Sequence, residues 1–392
     1  MPTFADKFAE AVRQRRWQIE RTFSEEPASS VEKKLREGVR KHWHALPPQS
    51  RVEKRQAFAV DGSSASRDFT NAATMIISQA LAIGPGLEEP YVDVRFLRGN
   101  LSTPTLDRYK GLLMRYLEIK AALDNLDRMK GGELYLDGSL YAGLPHFLYP
   151  LDIEGEEDLP LRLLKMYLDL FDGCRERDIL LLGISKTSRD SVLSDTLLLL
   201  QSGRNLIPSD VKADHVSQRL PDVEILSRWA QGAGFSTPVL LGVHSLGHRR
   251  KQFLSSSEEL AQGFVRRLGP GSKEEIERVL ARLRNASAIA AFHVRFEPGE
   301  DTLRVDVPAS ALGFEDRLAD FYSKLIPPEK VHPILRRLAS DHGGLNVYNA
   351  ILYIVDQQVR LRKKMVDGPY LSILRNILGR RVEYDRSTRR FL

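Results

Sequence analysis

Gln56-Ala57-Phe58-Ala59-Val60-Asp61-Gly62-Ser63 is the stretch from which the fold is read. Mostly apolar residues lead into an aspartate and then a glycine. This reads as a buried strand ending in a turn, with a carboxylate at the strand's end. The same device returns as Glu133-Leu134-Tyr135-Leu136-Asp137-Gly138-Ser139. A single Asp-Gly-Ser says little, because aspartate bonds its own backbone, glycine takes positive φ, and turns are rich in both. Two copies, each closing an apolar strand, say more. On neighbouring strands they set two carboxylates side by side, and like charges held that close need a cation.

Working outward, Ala73–Ile83 and Tyr91–Leu97 are strand-like and are separated by Gly84-Pro85-Gly86, so three strands in a row form an antiparallel meander. Thr103 caps a helix with Pro104 at its first position, and the helix runs to about Leu126. Glu118 sits at the edge of its apolar stripe, with Met114, Arg115, Ala121 and Ala122 as helical neighbours. A carboxylate among such neighbours faces protein more often than water. The strand to Asp137, a helix over 159–171 and a strand over 179–184 follow, giving an α/β architecture with a mixed sheet. Residues 201–285 are less regular and read as an insertion. Strands over 288–296 and 302–307 form a hairpin, and helices over 331–341 and 345–364 close the core. The domain layout expected is a helical arm over 1–50, a core over 51–200 and 286–392, and the insertion between.

The whole chain narrows the classes of function. Its 392 residues suit one large domain with appendages. A net charge of +6 permits a polyanionic partner without demanding one. The single cysteine, Cys174, excludes an intramolecular disulfide framework and a Cys-rich zinc site, and fits a reducing cytoplasm. The N-terminus lacks the layout of a signal peptide, and no stretch is long and apolar enough to span a bilayer, so no membrane partner is expected. No P-loop lysine motif is present, so any ATP hydrolysis must come from a partner. Val243-His244-Ser245-Leu246-Gly247 nearly spells a hydrolase nucleophile elbow, but Val243 stands where the strained turn needs glycine. His244 and His248 have the spacing of a zinc-binding pair without the metalloprotease glutamate.

Asp61, Glu118 and Asp137, in the order strand, helix, strand, resemble the acidic set of ribonuclease H-like nucleases. Hard oxygen ligands hold two divalent ions there for an in-line phosphodiester displacement. More specifically, the chain resembles the NurA nuclease family. The matching stretches are Ala59-Val60-Asp61-Gly62-Ser63, the helix bearing Glu118, Leu136-Asp137-Gly138-Ser139-Leu140, Gly183-Ile184-Ser185-Lys186, and Phe292-His293-Val294-Arg295 with Leu303-Arg304-Val305-Asp306-Val307-Pro308. The resemblance covers roughly residues 55–345. It implies a ribonuclease H-like fold and a manganese-dependent DNA nuclease, with magnesium as the alternative ion. It further implies 5′–3′ exonuclease and single-strand endonuclease activity, a homodimer, and partnership with a HerA-type hexameric ATPase in DNA end resection. Lys186 closes an apolar strand and reads either as a compact cation that contacts a phosphate or as a surface lysine.

The sequence departs from the family near its end. Relatives carry a Tyr-Pro-Tyr-Pro stretch and then a histidine eight residues after the first tyrosine. Here the stretch aligns with His332-Pro333-Ile334-Leu335 and the histidine position with Ser340, beside Asp341 and His342. The fourth ligand is therefore left among Asp341, His342 and His332. Basic clusters at Arg13–Arg16, Lys33–Lys41, Arg249–Lys251, Arg266-Arg267 and Arg360–Lys364 would supply sequence-independent phosphate attraction if several line one groove. The rival reading from another class is a non-catalytic DNA-binding adaptor for a motor ATPase. Finally, the stripe of Phe4, Phe8, Val12, Ile19 and Phe23 along a helix over 4–23 must be covered by the chain's own core, a second copy or the motor.

Overall fold

The computed structural model describes residues 3–379 except 23, 25, 28, 50–54, 100, 187, 189, 202–219, 243–256, 320–323 and 346, together with residue 382. Phe23, the elbow-like Val243–Gly247, the pair His244 and His248, and Arg249–Lys251 lie outside the described residues.

Among the described residues, nine strands of three residues or more build one sheet: β1 (Ala57–Asp68), β2 (Ala73–Gly84), β3 (Leu87–Arg98), β4 (Glu133–Asp137), β5 (Leu180–Ser185), β6 (Gly234–Ser236), β7 (Val239–Leu241), β8 (Ile289–Arg295) and β9 (Leu303–Pro308). Their spatial order, from one edge, is the two-residue strand Trp43–His44, then β6, β8, β9, β5, β4, β1, β2, β3. β7 lies beside β8 and carries Lys324–Leu325 on its other side. β1, β2 and β3 form the expected antiparallel meander, while β4 and β5 run parallel to β1. The sheet is mixed, as expected, and β9 closes antiparallel onto β5. The stretch read as an insertion adds β6 and β7 to this same sheet and sends Ile225, Leu226, Trp229 and Phe264 into its main core.

The first Asp-Gly-Ser does not end its strand. β1 continues to Asp68, and Asp61, Gly62 and Ser63 pair with Leu81, Ala80 and Gln79 of β2. The turn expected there gives way to ladder hydrogen bonds, since β2 offers a continuous partner strand of equal length. Only the second copy turns: β4 stops at Asp137, and Gly138 takes φ of +108°.

Helices cover both faces; in chain order, besides the four described next, the helices include α3 (Ser30–His42), α5 (Leu159–Glu176), α6 (Val192–Gln201), α7 (Asp222–Trp229), α8 (Ser257–Leu268), α9 (Lys273–Asn285) and α10 (His332–Asp341). α4 (Thr103–Asp124), capped by Ser102, packs on β1 and β2 and buries Leu113, Leu117 and Ala121 with Phe58 and Val60. On the opposite face α11 (Ala350–Val359), capped by Asn349, buries Leu352, Val355 and Val359 with Ala59 and Tyr135. Alternation along each strand assigns the two sets, since successive side chains point to opposite faces. The arm is two helices rather than one, α1 (Phe4–Gln14) and α2 (Arg16–Thr22), broken at Arg15. A Thr3–Asp6 capping box starts α1, and α1 buries none of its residues. No described helix is long and apolar enough to cross a membrane.

Candidate metal centre

The parallel pairing of Val60 with Leu136 brings Asp61 and Asp137 together on adjacent strands. α11 lies over them and adds Asp356. Asp61, Asp137 and Asp356 each offer a carboxylate oxygen, and these oxygens all lie within 4.8 Å of one another. Asp61 is almost wholly buried. Burial first, then Asp137 and Glu118, and more weakly Asp356, push its pKa up to about 8, against one opposing bond from the Gly62 amide. The described residues thus hold clustered acids whose charges are under-balanced.

Glu118 reaches this region from the other face of the sheet. A Cβ on Gly62 would lie 2.6 Å from Glu118 Oε1, so the glycine leaves the space the carboxylate occupies. Glu118 is buried, and its Oε2 finds no well-aligned hydrogen bond although Arg115 Nη1 lies 2.8 Å away. Burial raises its pKa to about 7, with Arg115 opposing and Asp137 adding to the rise. Lys186, just past β5, sets Nζ 3.2 Å from Asp137 Oδ2 and 4.6 Å from the centre of the Tyr348 ring. Burial works to discharge this lysine, but Tyr348 and Asp137 outweigh it and hold its pKa above the ordinary value.

The donor set fits a hard divalent cation. Three carboxylates converge, a fourth is buried nearby with an unsatisfied oxygen, and carboxylate oxygens suit magnesium or manganese.

The other sequence candidates sit elsewhere. Asp341 accepts a hydrogen bond from the Tyr135 hydroxyl at 3.0 Å. His342 Nε2 lies 2.7 Å from Glu300 Oε1, and His332 packs edge-on against Phe235. None of the three joins the cluster. Sequence reading missed Asp356 and Tyr348, yet a signal was present: Tyr348 precedes Asp356 by eight residues, the spacing sought from His332.

A family model, the NurA domain, matches residues 55–361. A comparison with curated proteins finds no match. Among solved structures, the chain is similar to the NurA nuclease from Sulfolobus solfataricus, at 15% identity and a TM-score of 0.53 over 97% of this chain and 98% of that one. A NurA structure with manganese has 14% identity and a TM-score of 0.45, covering 94% of this chain and 98% of that one. One bound to dAMP and manganese has 13% identity and a TM-score of 0.41, covering 94% and 96%. At such an identity the first likeness speaks for the mixed α/β fold alone. The family match is the wider finding, because it runs over most of the chain and through every element that builds the cluster: the chain belongs to the NurA family.

Proposed function

We propose that this protein is a divalent-metal-dependent DNA nuclease whose ligands are Asp61, Asp137 and Asp356, with Glu118 completing the acidic set. The observation that carries this reading is the convergence of three carboxylate oxygens within 4.8 Å, around the buried Asp61, in a NurA-family chain. Two bound ions, manganese or magnesium, would supply Lewis-acid stabilisation of the attacking and leaving oxygens of a phosphodiester. The chain's own part is to hold the carboxylates in place and to keep water from competing for them. Lys186 stays charged beside Asp137 and is placed to meet a phosphate oxygen. Arg360, Arg362, Lys363 and Lys364 are exposed just past α11, and the Leu361 amide donates to Ser63 Oγ at 3.0 Å, so this basic run begins next to Asp61. Such charges attract a phosphate backbone without reading bases.

We further propose exonuclease and single-strand endonuclease activity in DNA end resection, in the cytoplasm, as a homodimer that works with a HerA-type hexameric ATPase. The arm supports an intermolecular role: Phe4 is 98% exposed and Phe8 72%, so among the described residues the core does not cover α1. Deleting residues 1–24 should shift the protein toward monomer or abolish co-purification with the ATPase, while metal binding survives. A truncated protein that stays dimeric and ATPase-bound would remove that role.

The deciding experiment is incubation of labelled DNA with the purified chain plus manganese, magnesium or chelator. Cleavage that needs a divalent ion and is lost in Asp137→Ala supports the nuclease. DNA binding without cleavage under every ion would favour the adaptor instead.

A further inference from the structure

Arg304 and Asp306 stand two residues apart on β9 and are buried to 1% and 0% exposure. An ion pair so deep gives up the hydration of both charges, and apolar residues would fill the space more cheaply. What the pair holds is therefore informative. Asp306 Oδ1 accepts Nε–H of Arg304 at 2.8 Å. Its Oδ2 accepts from the Ser139 hydroxyl, from the Tyr141 amide at 3.3 Å and from Arg304 Nη2 at 3.3 Å. Ser139 Oγ in turn accepts the amides of Tyr141 at 3.0 Å and Ala142 at 2.9 Å. The turn that begins immediately after Asp137 is thus fastened at Ser139, while the Gly138 amide donates to Ile184 O of β5 at 2.8 Å.

The other side of the guanidinium reaches a different loop. Arg304 Nη1 donates to Asp190, four residues after Lys186. Asp190 also receives the Ser188 hydroxyl at 2.9 Å, and its carbonyl receives the Asp222 amide at 2.7 Å. One arginine therefore ties the chain leaving β4, which carries Asp137, to the chain leaving β5, which carries Lys186.

We propose that Asp306 and Arg304 are positioning residues for the nuclease site: they lock the turn after Asp137 against the loop after Lys186, and so fix the 3.2 Å spacing between that carboxylate and that ammonium. The proposal rests on the reading of Asp61, Asp137 and Asp356 as a metal centre. Asp137 is the last residue of its strand, so its direction is set as much by the backbone beyond it as by the ladder before it. With the clamp cut, the carboxylate spreads over more orientations. Groups that orient metal ligands act in this way generally.

The test uses the full chain with Ser139→Ala, Ser139→Thr and Asp306→Asn. Two quantities are read: the manganese or magnesium concentration that half-saturates the rise in melting temperature, and kcat and KM on labelled single-stranded DNA. Ser139→Ala should raise the half-saturating concentration of both ions about tenfold. It should lower kcat and leave KM for DNA unchanged, since no phosphate contact is touched. Ser139→Thr, which keeps the hydroxyl, should restore both. Asp306→Asn should move the same quantities further; if it fails to fold because Arg304 is left under-balanced, the Ser139 pair decides alone. A Ser139→Ala protein with wild-type half-saturation and kcat, changed only in melting temperature, would overturn the positioning role. A wild-type chain whose melting responds to neither ion would overturn the metal centre, and the clamp with it.

Discussion

Asp61-Gly62-Ser63 and Asp137-Gly138-Ser139 are the same three residues in two different backbones. The first lies inside a twelve-residue strand, paired residue by residue with β2. The second is a turn with glycine at φ +108°. Gly62 is needed for space, because Glu118 occupies the volume where a side chain would go. Gly138 is needed for conformation, because side-chain-bearing residues rarely take that φ. The serines differ as well. Ser63 holds the end of α11, which carries Asp356, whereas Ser139 joins the buried Arg304–Asp306 network. Only the aspartates do the same thing, and the lesson is that one tripeptide marks one chemistry while serving two scaffolds.

If the aspartates are equivalent, replacing either should have the largest effect available. Asp61→Ala and Asp137→Ala should each lower cleavage by on the order of a thousandfold or more, because metal stabilisation of a transition state is worth several kcal/mol. Asp356→Ala should lose about 10–100-fold, with melting that responds more weakly to manganese and magnesium than in wild type. Wild-type cleavage by both strand variants would break the comparison outright.

Asp61 should also show itself in metal-free pH titration. Asp61 has its pKa raised from 3.8 to about 8 in the folded chain. Between those values the folded protein holds a proton that the unfolded chain has released, so the unfolded state binds fewer protons and stability falls as pH rises. The metal-free melting temperature should therefore decline from about pH 4 to about pH 8 and then level off from this group. Glu118, raised to about 7, contributes with the same sign and levels off earlier. Asp61→Asn should remove much of the slope and leave the metal-free protein more stable than wild type at alkaline pH. A slope unchanged in Asp61→Asn would mean that the clustered charge is relieved in some other way.

How much of this was legible in the sequence follows from the same residues. The apolar run before each aspartate showed the strands, and their parallel pairing is what sets Asp61 beside Asp137. The continuation of β1 past Asp61 was not legible, because local turn propensity lost to pairing with β2, a non-local term. Asp356 was missed for a related reason. An aspartate inside an amphipathic helix looks solvated until the helix is known to lie across two strands. His342 and Asp341 drew attention as chemical groups, yet the fold gives each a hydrogen-bond partner elsewhere, Glu300 and Tyr135.

The glycines sharpen the comparison at smaller amplitude. Gly62→Ala adds a methyl 2.6 Å from Glu118 Oε1 and 2.9 Å from Met114 Cγ, so one of them must shift. Overpacking of this kind costs about 1–3 kcal/mol. Gly138→Ala chiefly strains the backbone at positive φ, at about 1–3 kcal/mol; its methyl would also lie 2.8 Å from Arg115 Nη2, the end of a flexible side chain. Denaturant midpoints should fall in both, but the causes separate in double variants. Glu118→Asp, one methylene shorter, should recover more stability in Gly62→Ala than in Gly138→Ala. Equal recovery in both would show that space and conformation are not the distinct demands described above.

The smallest effect belongs to Ser63. Its hydroxyl oxygen accepts one amide hydrogen, from Leu361 at 3.0 Å, where α11 gives way to the basic run. Losing one neutral hydrogen bond at a half-buried position costs about 1 kcal/mol. Ser63→Ala should therefore shift the denaturant midpoint slightly. The metal half-saturation should stay within about twofold, since α11 remains pinned by Leu352, Val355 and Val359 in the core. Ser139→Ala acts on the same element of the motif yet is expected to move metal binding itself, because Ser139 fastens the backbone that directly follows Asp137, bonding the Tyr141 and Ala142 amides and Asp306. Measuring the two alanine variants side by side, with one metal titration each, asks whether a serine beside a ligand matters for being near the ion or for what it fastens. Equal changes in metal binding would favour nearness. The structure leads us to expect a small loss of stability alone for Ser63 and a loss of metal affinity for Ser139.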